Sequence, residues 1–512
     1  MSASNPLRRL LFAGVAALSL TAAAPGATPG AFAAGVLKIA HEQDVTTFDP
    51  ILTIQNPDIW VLDNMNAGLV RVTKDGTGLE PDLAQSWTVT DDAKTYTFKL
   101  RDGLKFSDGS PITPQDVKFS LERLRDQKDS VMGSMYKVIK SIDTPDDKTV
   151  VVTLTDPSAP FLSTLAMFAA SAVPQKVVTA KGAEFGNDPV GAGAFKFKEW
   201  RRGDRVVLER NPNYWENSRV KLDGVEWLYI ANDNTRVLKL QAGEVDAILF
   251  VPFNQIDTLA KDPNVEVHLD PSSREDHMLL NHAHKPLDDL KVRQAVCMAV
   301  DRQAIVDTVL FGHGKPANSF IPGGALFYNA DNKVCQHDPE AAKKLLADAG
   351  VKDLSLKLLI AAGDSINDQT SVLLKDQLAK VGVDLQIEKQ EQGQEWNSTV
   401  AGDYDLSLNY WTNDIIDPDE KATFSVYGDK DNRSYYTNYK NPKVTALVDQ
   451  GRVEMDAAKR KEIYNAMQQR AADDVVWVDL YYSPFRNASR KTVKGFYQNP
   501  TGRFMLEDTS VE

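Results

Sequence analysis

The chain has 512 residues, 42% of them hydrophobic and 25% charged, with 58 Lys and Arg against 71 Asp and Glu and a net charge of −13. This is the composition of a globular protein, and the length exceeds what one core supports, since single cores stop growing at about 250–300 residues. An acidic balance without clustered Lys and Arg argues against a nucleic-acid partner.

Arg8 and Arg9 precede an apolar run over residues 10–24, and Ala31-Phe32-Ala33 puts small residues at the two positions a signal peptidase reads. Residues 1–33 are therefore expected to be a signal peptide, cleaved near Ala33, which places the mature protein in the periplasm. The run is shorter than the roughly 20 residues that span a bilayer. No later segment is apolar for that long, so no membrane insertion is expected.

A strand over residues 36–40 follows, then a helix carrying Ile59, Leu62, Met65 and Leu69 at helical spacing. Residues 95–100 (TYTFKL) and 149–154 (TVVVTL) alternate as strands. Between them Thr113-Pro114-Gln115-Asp116 opens a helix with a capping threonine, proline at its first position and acid in its first turn. Its apolar face is Val117, Leu121 and Leu124. Gly191-Ala192-Gly193 lacks the third glycine of a phosphate loop and runs into strands at 194–197 and 204–209, so it is expected to be a tight turn. A helix over 234–242 leads to a strand at 246–250, and a strand at 278–281 leads to a helix over 289–311.

Residues 354–417 carry the most information. Strands are expected at 354–362, 383–387 and 404–411, with a helix over 368–381 ended by Gly382 and a short helix around Trp396. That β-α-β-α-β run implies a parallel sheet with right-handed crossovers. Ligands collect outside the carboxyl ends of such strands. Two loops leave those ends, residues 361–367 with Asp364 and residues 411–418 with Trp411, Thr412, Asn413, Asp414 and Asp417. Tyr410 stands beside Trp411 at the strand end. An aromatic wall next to a carboxylate suits a cationic or amphipathic ligand; the alternative is a core tryptophan with a solvated acid.

His277, His282 and His284 (HMLLNHAH) have no cysteine or paired acid set beside them, so no metal site and no cofactor are expected. Neither a serine nucleophile elbow nor a P-loop lysine is present, and a two-acid hydrolase has no positive support; the chain is not expected to be an enzyme. Cys297 and Cys335 are too few for a disulfide scaffold. In an oxidising compartment they could pair or stay as two buried thiols.

Residues 83–123 (LAQSWTVTDDAKTYTFKLRDGLKFSDGSPITPQDVKFSLER), 189–197 (PVGAGAFKF), 210–215 (RNPNYW), 286–300 (PLDDLKVRQAVCMAV) and 338–350 (DPEAAKKLLADAG) together resemble the dipeptide/oligopeptide-binding proteins of ABC importers, solute-binding protein family 5. Ala192 and Ala194 stand where that family usually has threonine and proline. The resemblance implies an α/β, periplasmic binding protein-like fold (type II, three-lobed), with two lobes closing on a cleft. Lobe I would comprise residues 34–66, 190–278 and 484–512, inserted lobe II residues 67–189, and lobe III residues 279–483. It implies a monomer that captures a peptide or small-molecule ligand and hands it to an inner-membrane ABC permease. Asp414, three residues after Trp411, matches the acid that pairs a peptide's ammonium group, with Asp417 and Asp364 expected to back it. Dipeptide-selective relatives carry an arginine in the loop that here reads AAGDSIND (361–368), so a ligand with a free ammonium group, other than an ordinary dipeptide, is expected. The alternatives are an extracytoplasmic hydrolase, a sensor subunit, or a binder of an opine, a polyamine or a nickel complex.

Overall fold

The computed structural model describes residues 35–428 and 434–512. The expected signal peptide, residues 1–33, lies outside the described residues. Residues 34–512 form one compact unit.

Three larger sheets organise it. A seven-stranded sheet runs, in spatial order, Val265–Asp270, Phe485–Arg490, Ala247–Ile248, Val36–His41, Gly224–Tyr229, Arg205–Arg210 and Phe195–Arg201. A six-stranded sheet runs Lys315–Pro316, Trp477–Tyr482, Glu275–Leu280, Leu406–Trp411, Leu354–Ala361 and Val383–Gln390. A four-stranded antiparallel sheet joins Ala84–Val89, Thr95–Leu100, Thr149–Leu154 and Ile139–Asp143. In this last sheet the period-2 pattern does what it should: Tyr96, Phe98 and Leu100 are buried on one face, opposite Val152 and Val150. Helix Pro114–Asp126 lies against it, opened by a reciprocal capping box in which Thr113 and Asp116 satisfy each other's backbone N–H. Val117, Leu121 and Leu124 are its buried face.

The parallel run forms as the pattern implies. Leu354–Ala361 pairs in parallel with Val383–Gln390 on one side and with Leu406–Trp411 on the other. Helices Ser365–Ala379 and Gln392–Ala401 make the crossovers. Residues 361–365 and 411–419 therefore leave the same edge of the sheet.

Two expectations shift. The helix over 289–311 is two helices, Leu290–Ala299 and Arg302–Thr308, because Asp301 turns its carboxylate onto the Ala304 N–H and caps a new helix. Strand Glu275–Leu280 lies wholly in the six-stranded sheet, so the chain passes between the two large sheets over residues 271–274 rather than at 278. It returns over residues 483–484. The 191–193 segment packs directly on the end of helix Asn56–Met65: a Cβ on Gly191 would lie 2.2 Å from the Met65 carbonyl oxygen, and one on Gly193 would lie 2.7 Å from that of Asn64. Only glycine permits that approach.

Cys297 and Cys335 are joined in a disulfide that closes a 38-residue separation. In the chain-entropy treatment a loop of that length is worth about 3–4 kcal/mol. The protein denatured without reductant should therefore show no titratable thiol, and reduction should lower its denaturant midpoint. Two free thiols in the unreduced protein would contradict the bond.

Candidate ligand-binding site

The site lies where the carboxyl edge of the six-stranded sheet meets the seven-stranded sheet. Two adjoining cavities of about 90 Å3 each share Gln392, Glu395, Asn409 and Tyr410. The first is walled by Arg236, Arg274 and Arg486 on one side and the 361–367 loop on the other. The second is walled by Asn56, Trp396, Trp411, Thr412, Asp414 and Tyr435.

Trp411 ends its strand opposite Glu275 and is held by a parallel stack on Phe424 at 5.7 Å and an edge contact with Tyr435 at 5.1 Å. Its indole N–H is buried with no hydrogen-bond partner among the described residues. After Trp411 the chain turns because Glu420 accepts the backbone N–H groups of both Asp414 (2.9 Å) and Ile415 (3.2 Å). That turn carries Asp414 to the cavity wall, 6% exposed. Burial is the main cause that pushes Asp414 up to about 7, and it pushes Glu420 well above the carboxylate range. After burial, the neighbouring Asp414 charge is the next cause that raises Glu420, so the two carboxyl groups titrate as a pair. Among the described residues no cationic side chain lies within 4.0 Å of the Asp414 carboxylate; Arg503 reaches its backbone carbonyl at 3.3 Å.

Contacts cross the cleft. Asn56 donates to the Tyr410 hydroxyl (3.2 Å) and accepts from the Thr412 hydroxyl (3.2 Å). Gln392 donates to Gln43 at 3.0 Å, and the Ser365 hydroxyl donates to Asp233.

The residues singled out in the sequence separate into three groups. Tyr410, Trp411, Thr412 and Asp414 come together around the second cavity. Asp364 lines the first, but its carboxylate caps helix Ser365–Ala379 by accepting the Ile366 (2.7 Å) and Asn367 (3.3 Å) N–H groups. Asn413 faces the other way, into a separate cavity, its N–H donated to Ser273 at 2.9 Å. Asp417 lines neither of these two cavities: Arg460 grips both its oxygens in a buried fork, with one contact at 2.8 Å. The three histidines are kept apart by their own partners. His277 bonds Glu275 at 2.7 Å, His282 meets the Val476 carbonyl, and His284 meets Asp405.

The arginines were not anticipated. The 361–368 loop has none; Arg236 enters from helix Asp233–Ala242, Arg274 from the inter-sheet crossing at 271–274, and Arg486 from strand Phe485–Arg490. Arg274 is forked onto Asp276 at 2.8 and 2.6 Å and lies 3.6 Å above the Tyr410 ring. Arg236 is spent on the carbonyls of Leu249, Ile230 and Ala231.

The sequence profile of bacterial extracellular solute-binding proteins, family 5 Middle, matches residues 78–433, well over half the chain. The chain belongs to this family. Within it, the chain is 32% identical to the probable D,D-dipeptide-binding periplasmic protein DdpA of Escherichia coli (strain K12), over 91% of this chain and 92% of that one. Among solved structures, the periplasmic binding protein AgaA of A. tumefaciens R10 in complex with agropinic acid superposes with a TM-score of 0.84 at 31% identity, covering 93% of this chain and 99% of that one. The ABC transporter-associated periplasmic binding protein DppA of Helicobacter pylori, in complex with the peptide STSA, superposes with a TM-score of 0.87 at 27% identity, covering 93% and 98%. The mixed α/β, multi-sheet architecture of this family 5 protein is thus the type II periplasmic-binding-protein fold.

Two substitutions separate structural acids from cavity acids in this family 5 protein. Asp417→Asn should lower stability by about 3–5 kcal/mol, because it leaves Arg460 buried without its counter-charge. Asp414→Asn should do the reverse at neutral pH. With its pKa raised to about 7, Asp414 holds a proton between the ordinary carboxylate range and about 7 that the unfolded chain has released, and Glu420, raised well above that range, stays protonated there too. Their contribution to stability is full at low pH and is lost as pH rises through that window. Denaturant unfolding of ligand-free protein across this range should show a steeper fall for the parent than for Asp414→Asn. Parallel curves would show that folding does not raise the pair.

Proposed function

We propose that this protein is the periplasmic receptor of an ABC importer, capturing a peptide or peptide-like amine-bearing solute by closure of two lobes and presenting it to the inner-membrane permease. One lobe is built on the seven-stranded sheet and the other on the six-stranded sheet, and the crossings at 271–274 and 483–484 serve as the hinge. The observation that carries the reading is Asp414, a buried carboxyl with no side-chain cation within ion-pair reach among the described residues, set beside the aromatic faces of Trp411 and Tyr435. A buried acid so placed is completed by a cation from outside, and flanking rings favour an ammonium group carried on an apolar stem. The relatives support the ligand class: one is named for D,D-dipeptides, and another is complexed with the peptide STSA.

Ligand contacts from both lobes shift the population toward the closed form, which is the form the permease reads. The pair Asn56–Tyr410 and the pair Gln43–Gln392 are contacts of that closed form. No bond in the solute is broken. A hydrolase would return a cleaved ligand, whereas solute released from this protein by denaturation should be chemically intact by mass spectrometry.

Calorimetry on ligand-stripped protein, with a panel of dipeptides, tri- to pentapeptides, polyamines, opines and nickel salts, identifies the binder. Asp414→Ala should then weaken binding of that solute at least 100-fold, in keeping with the roughly 3–5 kcal/mol at stake when one member of a buried ion pair is removed. Equal affinity in variant and parent, or tight nickel binding with no response to amines, would overturn the assignment.

A further inference from the structure

Among the described residues, Arg486 differs from its neighbours in the first cavity. It is 3% exposed on strand Phe485–Arg490, and its guanidinium makes no hydrogen bond and has no carboxylate within 4.0 Å. Its nearest company is apolar: the group lies 4.4 Å from the Phe253 ring centre and 5.4 Å from that of Phe250. Burial, and then the charge of Arg274, pull its pKa below the ordinary arginine value. A desolvated cation–π contact returns less than it costs to leave a buried charge without a counter-charge, so the two rings do not offset the burial.

The surrounding acids do not fill the gap. Asp276 is spent on Arg274, Asp233 accepts the Ser365 hydroxyl, and Asp364 caps a helix. Glu395 is occupied by the Thr399 and Ser407 hydroxyls, and Glu42 is raised by burial toward its neutral form. Three arginines thus face one cavity with a single carboxylate partner among them. The surplus is positive at Arg486, across Tyr410 from the uncompensated acid at Asp414.

We propose that Arg486, in the same cavity as Arg274, is the seat of a ligand carboxylate, so that the solute is a compact zwitterion with its ammonium end at Asp414 and its anionic end against the seven-stranded sheet. This rests on the reading of the cleft as the solute site. It moves the carboxylate contact from the 361–368 loop, which lacks an arginine, to the facing lobe. A carboxylate suits the position better than a phosphate: it is singly charged and planar, matching the guanidinium fork, whereas a dianion would be repelled by five acids around the same space. With the acid end held by one lobe and the amine end by the other, the charge separation of the ligand itself draws the lobes together.

The test uses ligand-stripped full-length mature protein and acetate as a carboxylate probe, with chloride at equal ionic strength as control. Acetate should raise the melting temperature of the parent above its value in chloride, and Arg486→Gln and Arg486→Met should lose that increment. In chloride alone, Arg486→Met should melt no lower than the parent, since it removes an unpaired buried charge. Asp414→Asn should keep the acetate increment, so failure of the ammonium assignment leaves this result readable. Alanyl-alanine compared with its C-terminal amide should show at least a tenfold preference for the free acid in the parent, reduced to within threefold in Arg486→Gln. The proposal is overturned if the acetate response is the same in parent and variants. It is also overturned if Arg486→Met melts well below the parent in chloride, which would mark the guanidinium as structural. Should neither form of the dipeptide bind, the acetate comparison decides by itself.

Discussion

The cleft depends on one carboxyl group that never faces it. Glu420, fully buried, accepts the N–H groups of Asp414 and Ile415 and so bends the chain where strand Leu406–Trp411 ends. Without that turn the strand would run on, and Asp414 would not meet the cavity. The same interaction explains the electrostatics: two carboxyl groups brought this close in a dry site cannot both be charged at moderate cost. The loop is therefore held in a form that a cation can discharge. Position and readiness to bind come from one contact.

Around that loop the buried charges fall into two populations. Asp417 with Arg460, Asp419 with Arg452, and Arg274 with Asp276 are closed pairs that fix the backbone. Among the described residues Asp414, Glu42 and Arg486 are not closed in this way, and all three line the two adjoining cavities. Closed pairs are roughly neutral for stability, while unclosed ones are a standing cost. A fold tolerates such a cost where a bound solute is present for much of the protein's working life.

Much of this was legible in the sequence, and what was not had a physical reason. The β-α-β-α-β run declared itself through strand and helix periods, and parallel strands dictate which edge carries ligands. The Thr113 capping box was equally plain. Asp414 and Asp417 could not be told apart, because both sit in a loop, where no period fixes which way a side chain points. Arg460, which decides the matter, is 43 residues away. The arginines of the first cavity were hidden for a related reason. Arg236, Arg274 and Arg486 come from a helix, an inter-sheet crossing and a strand that only the folded chain assembles. A lone arginine in a strand has no local signature separating it from a surface one. The glycines at 191 and 193 announced a turn, but their closeness to Met65 belongs to tertiary packing.

The strand order of the seven-stranded sheet bears on how this protein comes into being. Strand Phe485–Arg490 is inserted between Ala247–Ile248 and Val265–Asp270, and it is among the last elements synthesised. Its neighbour but one, Val36–His41, is among the first. The sheet has no complete interior until strand Phe485–Arg490 has arrived, and the pairings that close it join residues 215 to 242 positions apart. Folding with such distant pairings is slow. Until strand Phe485–Arg490 is in place, the edges of Ala247–Ile248 and Val265–Asp270 that it joins have no partner there, so the wall of the cleft that carries Arg486 is the last part of this sheet to exist.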